Sequence, residues 1–327
     1  MSDDKGTAAA DPAAGDQEAD DDLAGTVPWG DLADEVAGRL RLGGVDEADR
    51  HAHLIVMRAC GADGGEWLTV SRQPATVRGV AAVDAMIARR LRGEPLQYVL
   101  AEWSFRHLDL YVDHRVLIPR PETEVVAGLA LDELRRVEAE GGPVVAADLG
   151  TGSGAIGLSL VTEHPRVEVW LTDVSAAALA VARANLAGTG LAGGRCRVAE
   201  GWWFDALPAG LAGGLAVVVA NPPYVADDDV LPPVVADWEP PEALFAGPAG
   251  TEHVDHLVET APGWLAPRGA LVLEMAPDQT GPVAERAAAR FAEVVVERDL
   301  TGRARAVVAR RPKWRAIKPQ PDGNRRY

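Results

Sequence analysis

Between Val144 and Ala309, short apolar runs alternate with stretches of helical periodicity. The runs are Val144–Asp148, Val167–Asp173, Arg195–Ala199, Leu215–Ala220, Ala270–Met275, Glu293–Val296 and Arg305–Ala309. Strands that alternate with helices are joined by crossovers, so the pattern predicts an α/β fold on a parallel, doubly wound sheet. No internal repeat is evident at the periods of roughly 20–50 residues that mark solenoids and propellers.

Upstream the texture changes. From Trp29 to about Arg92, apolar residues recur at three- and four-residue spacing, as in Leu32, Val36, Leu40 and again in Val80, Val83, Met86, Ile87, Leu91. This predicts a small helical bundle over 27–98. Trp103–Val112 alternates apolar and polar side chains and runs into Asp113-His114 before Val116-Leu117-Ile118, which reads as a β-hairpin within a linker over 99–120. The sheet domain is then expected over 121–312.

Charge bounds the ends and the partners. The net charge is -17. Residues 1–26 carry eight acids against Lys5, and 311–327 carry six Lys or Arg against Asp322. Residues 1–26 and 313–327 are expected to be solvated tails. An acidic chain lacks the clustered basic face that nonspecific nucleic-acid binding needs, so no nucleic-acid partner is expected. No apolar run reaches the roughly 18 residues of a spanning helix and the N-terminus is acidic, so no membrane segment and a cytoplasmic location are expected. Cys60 and Cys196 lie far apart, without zinc or disulfide spacing, and no metal is expected.

Asp148-Leu149-Gly150-Thr151-Gly152-Ser153-Gly154 falls where the first run ends and a helix begins. Glycines there let backbone approach a ligand, and a helix N-terminus presents free N–H groups to negative charge. The spacing alone leaves two cofactors open. Gly150-x-Gly152-x-x-Ala155 with Asp173 about 20 residues on satisfies a dinucleotide fingerprint. It equally suits S-adenosylmethionine, and Asp148 leans that way because it can accept the cationic α-amino group.

Asn221-Pro222-Pro223-Tyr224 follows the fourth run and so belongs at the C-terminal edge of the sheet, where open α/β folds bind ligands. An amide nitrogen is a poor nucleophile because its lone pair is delocalised. Acceptors that engage its N–H hydrogens redirect that pair, and Asn221 Oδ1 with the Pro222 carbonyl suits the task. The prolines stiffen the loop and Tyr224 offers a flat wall. The tetrapeptide therefore points to methyl transfer onto a planar nitrogen.

These segments resemble the release-factor glutamine methyltransferases of the HemK/PrmC type. The resemblance rests on Gly93–Tyr98, Phe105, Val116–Glu124, Asp148–Gly154, Trp203-Phe204, Asn221–Tyr224, Glu239-Pro240 with Ala243-Leu244, and Asp299-Leu300-x-Gly302-Arg303. It implies a class I, seven-stranded methyltransferase sheet behind a helical, substrate-recognising N-terminal domain. It further implies that Asp148, Gly150, Thr151, Gly152, Ser153, Gly154, Asp173, Val174, Trp203 and Asn221 hold S-adenosylmethionine, with Trp203 near the adenine. On the substrate side it places Phe105, Pro119, Arg120, Glu122, Thr123, Asn221, Pro222, Pro223 and Tyr224, with Asn221, Pro222 and Tyr224 catalytic. The implied substrate is the glutamine of a Gly-Gly-Gln tripeptide in a peptide chain release factor. The chain departs from the family pattern at Phe245–Thr251, at Glu274-Met275 and at Asp227-Asp228-Asp229. Those carboxylates, with Glu242 and Glu252, motivate a second reading in which the acceptor is the guanidinium of free arginine.

Overall fold

A computed structural model describes residues 27–313. The expected acidic tail over 1–26, and the basic tail from residue 314 on, lie outside the described residues. The chain divides into two compact units between Leu100 and Ala101.

The N-terminal unit consists of α1 (Trp29–Leu42), α2 (Ala48–Cys60), the short α3 (Trp67–Val70), α4 (Val77–Leu91) and α5 (Leu96–Leu100). The three- and four-residue spacing puts Val36, Leu40, Ile55, Val83 and Ile87 on inward faces, all fully buried. Thr76 Oγ1 caps α4 by accepting from Gly79 N.

The C-terminal unit begins with β1 (Trp103–Phe105) and β2 (Leu108–Leu110), an antiparallel hairpin pairing Trp103 with Leu110 and Phe105 with Leu108. Its turn is at Arg106-His107, with Arg106 left-handed at φ 53°, not at Asp113-His114 as the sequence pattern suggested. Asp113 instead accepts from the backbone and guanidinium of Arg115 and from the Tyr111 hydroxyl, closing a local knot. Val116 and Ile118 are buried but form no strand, because the Ile118 N–H donates to Glu239 Oε2 rather than to a ladder.

Then follow α6 (Pro121–Ala139), β3 (Val145–Leu149), α7 (Ala155–Glu163), β4 (Glu168–Asp173), α8 (Ala176–Ala187), β5 (Cys196–Glu200) and β6 (Leu215–Ala220). After β6 come β7 (Val225–Ala226), α9 (Pro233–Ala236), β8 (Phe245–Gly247), α10 (Glu252–Thr260), β9 (Leu265–Glu274), α11 (Thr280–Ala288), β10 (Phe291–Arg298) and β11 (Ala304–Pro312). The seven-stranded sheet has the order β10-β11-β9-β6-β3-β4-β5. Every pair is parallel except those made by β11, which is antiparallel to both neighbours. All six residues of β6 are buried, the signature of a strand covered on both faces.

The chain winds outward from β3 through β4 to β5, then returns to the other side of β3 with β6. This reversal makes the C-terminal ends of β3 and β6 the switch point at which such sheets bind ligands. Just beyond it, β7 and β8 form a small parallel pair of their own, anchored by Val225 N donating to Leu244 O and Asp227 N to Gly247 O. Among the described residues no helix is long and apolar enough to cross a membrane, and no cluster of potential ligands suits a metal ion.

Candidate active site

An open cavity lies over the C-terminal ends of β3, β4, β5 and β6. It is lined by Pro119, Thr123, Asp148, Gly150, Thr151, Gly152, Ser153, Asp173, Val174, Trp203, Asn221 and Pro223 among the residues named from sequence.

Its floor is the turn from β3 to α7. Gly150, Gly152 and Gly154 all have positive φ, a conformation that side chains resist. A Cβ at Gly150 would stand 3.1 Å from the Trp203 ring, so the glycine lets tryptophan and turn meet. Asp148 is 1% exposed; its Oδ2 accepts from Thr151 Oγ1 (2.6 Å) and Gly157 N (2.8 Å). Its Oδ1 is buried with no partner. Burial pushes the Asp148 carboxyl up to about 6, against those two hydrogen bonds.

Asp173 closes the next strand end. Oδ2 accepts from Gly152 N and Oδ1 from Ser175 N, both at 2.9 Å, which fixes the carboxylate between the two turns. Burial raises its pKa as well. Trp203 follows β5 in a left-handed conformation (φ 45°), a strained state for a bulky residue and common at ligand sites. Its ring is buried, Nε1 has no partner, and His253 packs edge-on at 5.3 Å.

Asn221 follows β6. Its Nδ2 donates to Thr123 Oγ1 at 3.4 Å, and its Oδ1 is buried with no partner. Pro222 is buried, Pro223 lines the cavity, and the Tyr224 carbonyl accepts from Gln279 Nε2 at 2.9 Å. Burial, and then the nearby Glu274 carboxyl, raise the Tyr224 hydroxyl above its usual range.

Other residues named from sequence stand away from the cavity lining. Phe105 is 1% exposed inside the hairpin, and Arg120 is held by an ion pair with the buried Glu239. Glu122 reaches toward Arg305 at 3.9 Å. Gly154 faces Leu158, and Pro222 and Tyr224 are not among the residues that line the cavity. The Asp227–Asp229 carboxylates are also outside the lining, and Glu252 accepts from Ala249 N at 2.8 Å; of the acids invoked for a guanidinium, Glu242 alone lines the cavity. Residues not singled out from the sequence for the site include Arg115, Val116, Ser175 and His253, which line it, and Gly157 beneath it. The third-residue spacing after Gly154 was the one available signal for Gly157.

Comparisons with known proteins agree with this geometry. Residues 133–237 match the methyltransferase small domain, and residues 31–100 match the PrmC N-terminal domain. Over 291 residues the chain is 36% identical to a release factor glutamine methyltransferase of Bifidobacterium longum, covering 85% of this chain and 98% of that protein. A relative of the same name in Deinococcus radiodurans is 38% identical over 283 residues, covering 86% and 98%. Among solved structures, the hMettl16 catalytic domain in complex with MAT2A 3'UTR hairpin 1 superposes with a TM-score of 0.52 at 17% identity, over 73% of this chain and 85% of that one; this likeness concerns the fold alone. With such identity over nearly the whole length of its relatives, the chain belongs to the release factor glutamine methyltransferase family.

Proposed function

We propose that the protein transfers a methyl group from S-adenosylmethionine to the side-chain amide nitrogen of the Gly-Gly-Gln glutamine of a peptide chain release factor. One observation carries the reading: Asn221 Oδ1 is a buried acceptor without a partner, at a cavity built from the glycine turn and Asp173. A buried polar atom left unpaired costs about 1–3 kcal/mol, so it is retained where a ligand satisfies it.

The residues present fit the cofactor. Asp148 Oδ1 is a second unpaired buried acceptor, suited to an ammonium group, and Trp203 Nε1 an unpaired donor beside an aromatic wall. Asp173 would accept from ribose hydroxyls. When bound, the cofactor supplies an electrophilic methyl group on a sulfonium. Asn221 Oδ1 and the Pro222 carbonyl accept the two amide N–H hydrogens, turning the nitrogen lone pair toward that methyl. Pro223 restricts the loop, so the acceptors are preorganised. The methylated nitrogen loses its extra proton to water, and no protein base is required. By the same reading, the helical unit over 27–98 recognises the release factor.

The test is a methyl-transfer assay with labelled cofactor, comparing release factor, free glutamine and free arginine. Label is expected in the release factor alone. Asn221→Ala is expected to lower kcat by roughly 10²–10³-fold while calorimetry finds cofactor binding largely kept. Label in free arginine, or an Asn221→Ala protein with parental turnover, would overturn the assignment.

A further inference from the structure

Asn221 can serve as an acceptor in only one of its two amide orientations. The oxygen and nitrogen ends are nearly the same size, and turning the group over would aim two N–H donors at a substrate that itself brings N–H donors. Something must fix the orientation. The contact at the far end is Thr123 Oγ1, 3.4 Å from Nδ2, and Thr123 is 3% exposed. A hydroxyl both donates and accepts, so by itself it would tolerate either orientation.

A third group removes that freedom. Glu274 ends β9, the strand beside β6; Ala220 pairs with Leu273, so Asn221 and Glu274 follow side by side from neighbouring strands. Glu274 is 1% exposed, its Oε2 has no partner, and the Thr123 hydroxyl lies near enough to its carboxyl group to favour the ionised form. A carboxylate only accepts. If it accepts the Thr123 hydroxyl hydrogen, Thr123 has only lone pairs to offer Asn221, which must then present Nδ2.

We propose that Thr123 and Glu274 are positioning residues whose hydrogen-bond chain, Asn221 Nδ2 to Thr123 Oγ1 to the Glu274 carboxylate, holds Asn221 Oδ1 toward the cavity. The proposal rests on the reading of Asn221 as the acceptor of the substrate amide. It reassigns Thr123 from a substrate contact to a residue acting through Asn221, and gives work to a buried acid that the transfer step does not otherwise use.

The chain has a polarity that one proton reverses. A protonated Glu274 can donate to Thr123, which can then donate to Asn221 Oδ1 and favour the turned-over amide. Burial raises the Glu274 carboxyl to about 7, opposed by Thr123, Arg305 and Arg120 and reinforced by Glu122. The charged groups facing it are Arg305 from β11, Glu122 from α6 and Arg120 just before α6; Tyr224 also faces it and stays neutral near pH 7. Because the ionised acid is the active form, kcat at saturating cofactor should fall as pH drops through about 7.

The experiment uses the full chain with a release factor as substrate. Thr123→Val and Glu274→Gln are each expected to lower kcat roughly 10- to 100-fold, as a misoriented reacting group does. KM for the release factor and the cofactor dissociation constant should change little. Thr123→Ser, which restores the hydroxyl, should recover most of the lost kcat. The acid limb of the kcat profile should be present in the parent and absent in Glu274→Gln. Cofactor affinity reports folding in every variant, and Glu274→Gln carries the test if Thr123→Val does not fold. Parental kcat in Thr123→Val, or an unchanged acid limb in Glu274→Gln, would overturn the proposal. If Asn221→Ala is inactive while Thr123→Val is fully active, this chain is refuted and the acceptor role of Asn221 stands. If Asn221→Ala is itself fully active, both fall.

Discussion

Asp148 carries two opposed demands. Hydrogen bonds from Thr151 and Gly157 favour its charge, while complete burial disfavours it more and brings the pKa to about 6. An ammonium group set against the unpaired Oδ1 would shift the balance toward the carboxylate. Near pH 6 about half of the free protein then carries this proton and gives it up when the cofactor binds. Calorimetry at pH 6 in buffers of different ionisation enthalpy should therefore give heats that differ by about half a proton, and at pH 8 heats that agree. Asp148→Asn should abolish the difference and weaken binding by about 1.5–3 kcal/mol, the worth of a hydrogen bond to a charged group. Identical heats in all buffers at pH 6 would contradict the pairing of Asp148 with the cofactor's cation.

At the scale of elements, the close seat of α7 on the sheet depends on Gly157. A Cβ there would stand 2.1 Å from Leu171 Cδ2 and 3.0 Å from Asp148 Oδ2. Leu171 is fully buried in β4, so its side chain can give way only into packed core. Gly157→Ala should therefore destabilise the protein by about 1–3 kcal/mol through overpacking, read as a lower urea midpoint, and should also weaken cofactor binding by displacing Asp148. At Gly152 no atom lies within 4 Å of an added Cβ, so Gly152→Ala should cost only the strain of φ +55°, about 1–2 kcal/mol. What was legible in the sequence follows the same division between local and distant causes. The strands could be read because doubly covered strands need unbroken apolar runs, as in Leu215–Ala220, and the glycine turn and the tetrapeptide because each is one contiguous segment. The hairpin turn was misplaced because Arg106 takes the left-handed conformation without a glycine or asparagine to announce it. The β7–β8 pair is too short to have a period. Thr123 and Asn221 are 98 residues apart, and only the packing of α6 and β9 beside β6 brings Thr123 and Glu274 to the tetrapeptide, so no local pattern could join them.

For the whole molecule, the buried acids of the site imply a conflict between stability and activity. Glu274 has a folded pKa near 7, against an unfolded value of 4.5. A raised folded pKa means that the unfolded chain gives up the proton first. The favourable contribution is thus complete below pH 4.5 and is lost as pH rises through 7. Over that window the loss from Glu274 amounts to about 3 kcal/mol, at roughly 1.4 kcal/mol per pKa unit. The opposite sign holds for Asp113, Glu163 and Asp299, whose depressed values place their losses at acid pH, and for His51, His164, His253 and His256, which burial keeps neutral and whose protonation destabilises the fold as pH falls below 6.5. The total pH profile mixes all of these, so the informative quantity is the difference between parent and Glu274→Gln. At pH 5 both side chains are neutral, and urea denaturation should find the two proteins similar in stability. At pH 8.5 the parent buries a carboxylate that the variant lacks, and Glu274→Gln should be the more stable by up to about 3 kcal/mol, while losing catalytic rate. A variant that is no more stable at pH 8.5 than at pH 5, relative to the parent, would mean that the ionised Glu274 is fully compensated by Arg305 and Arg120. A variant that gains stability and loses turnover would place Glu274 among the groups that a methyltransferase keeps at the expense of its own fold.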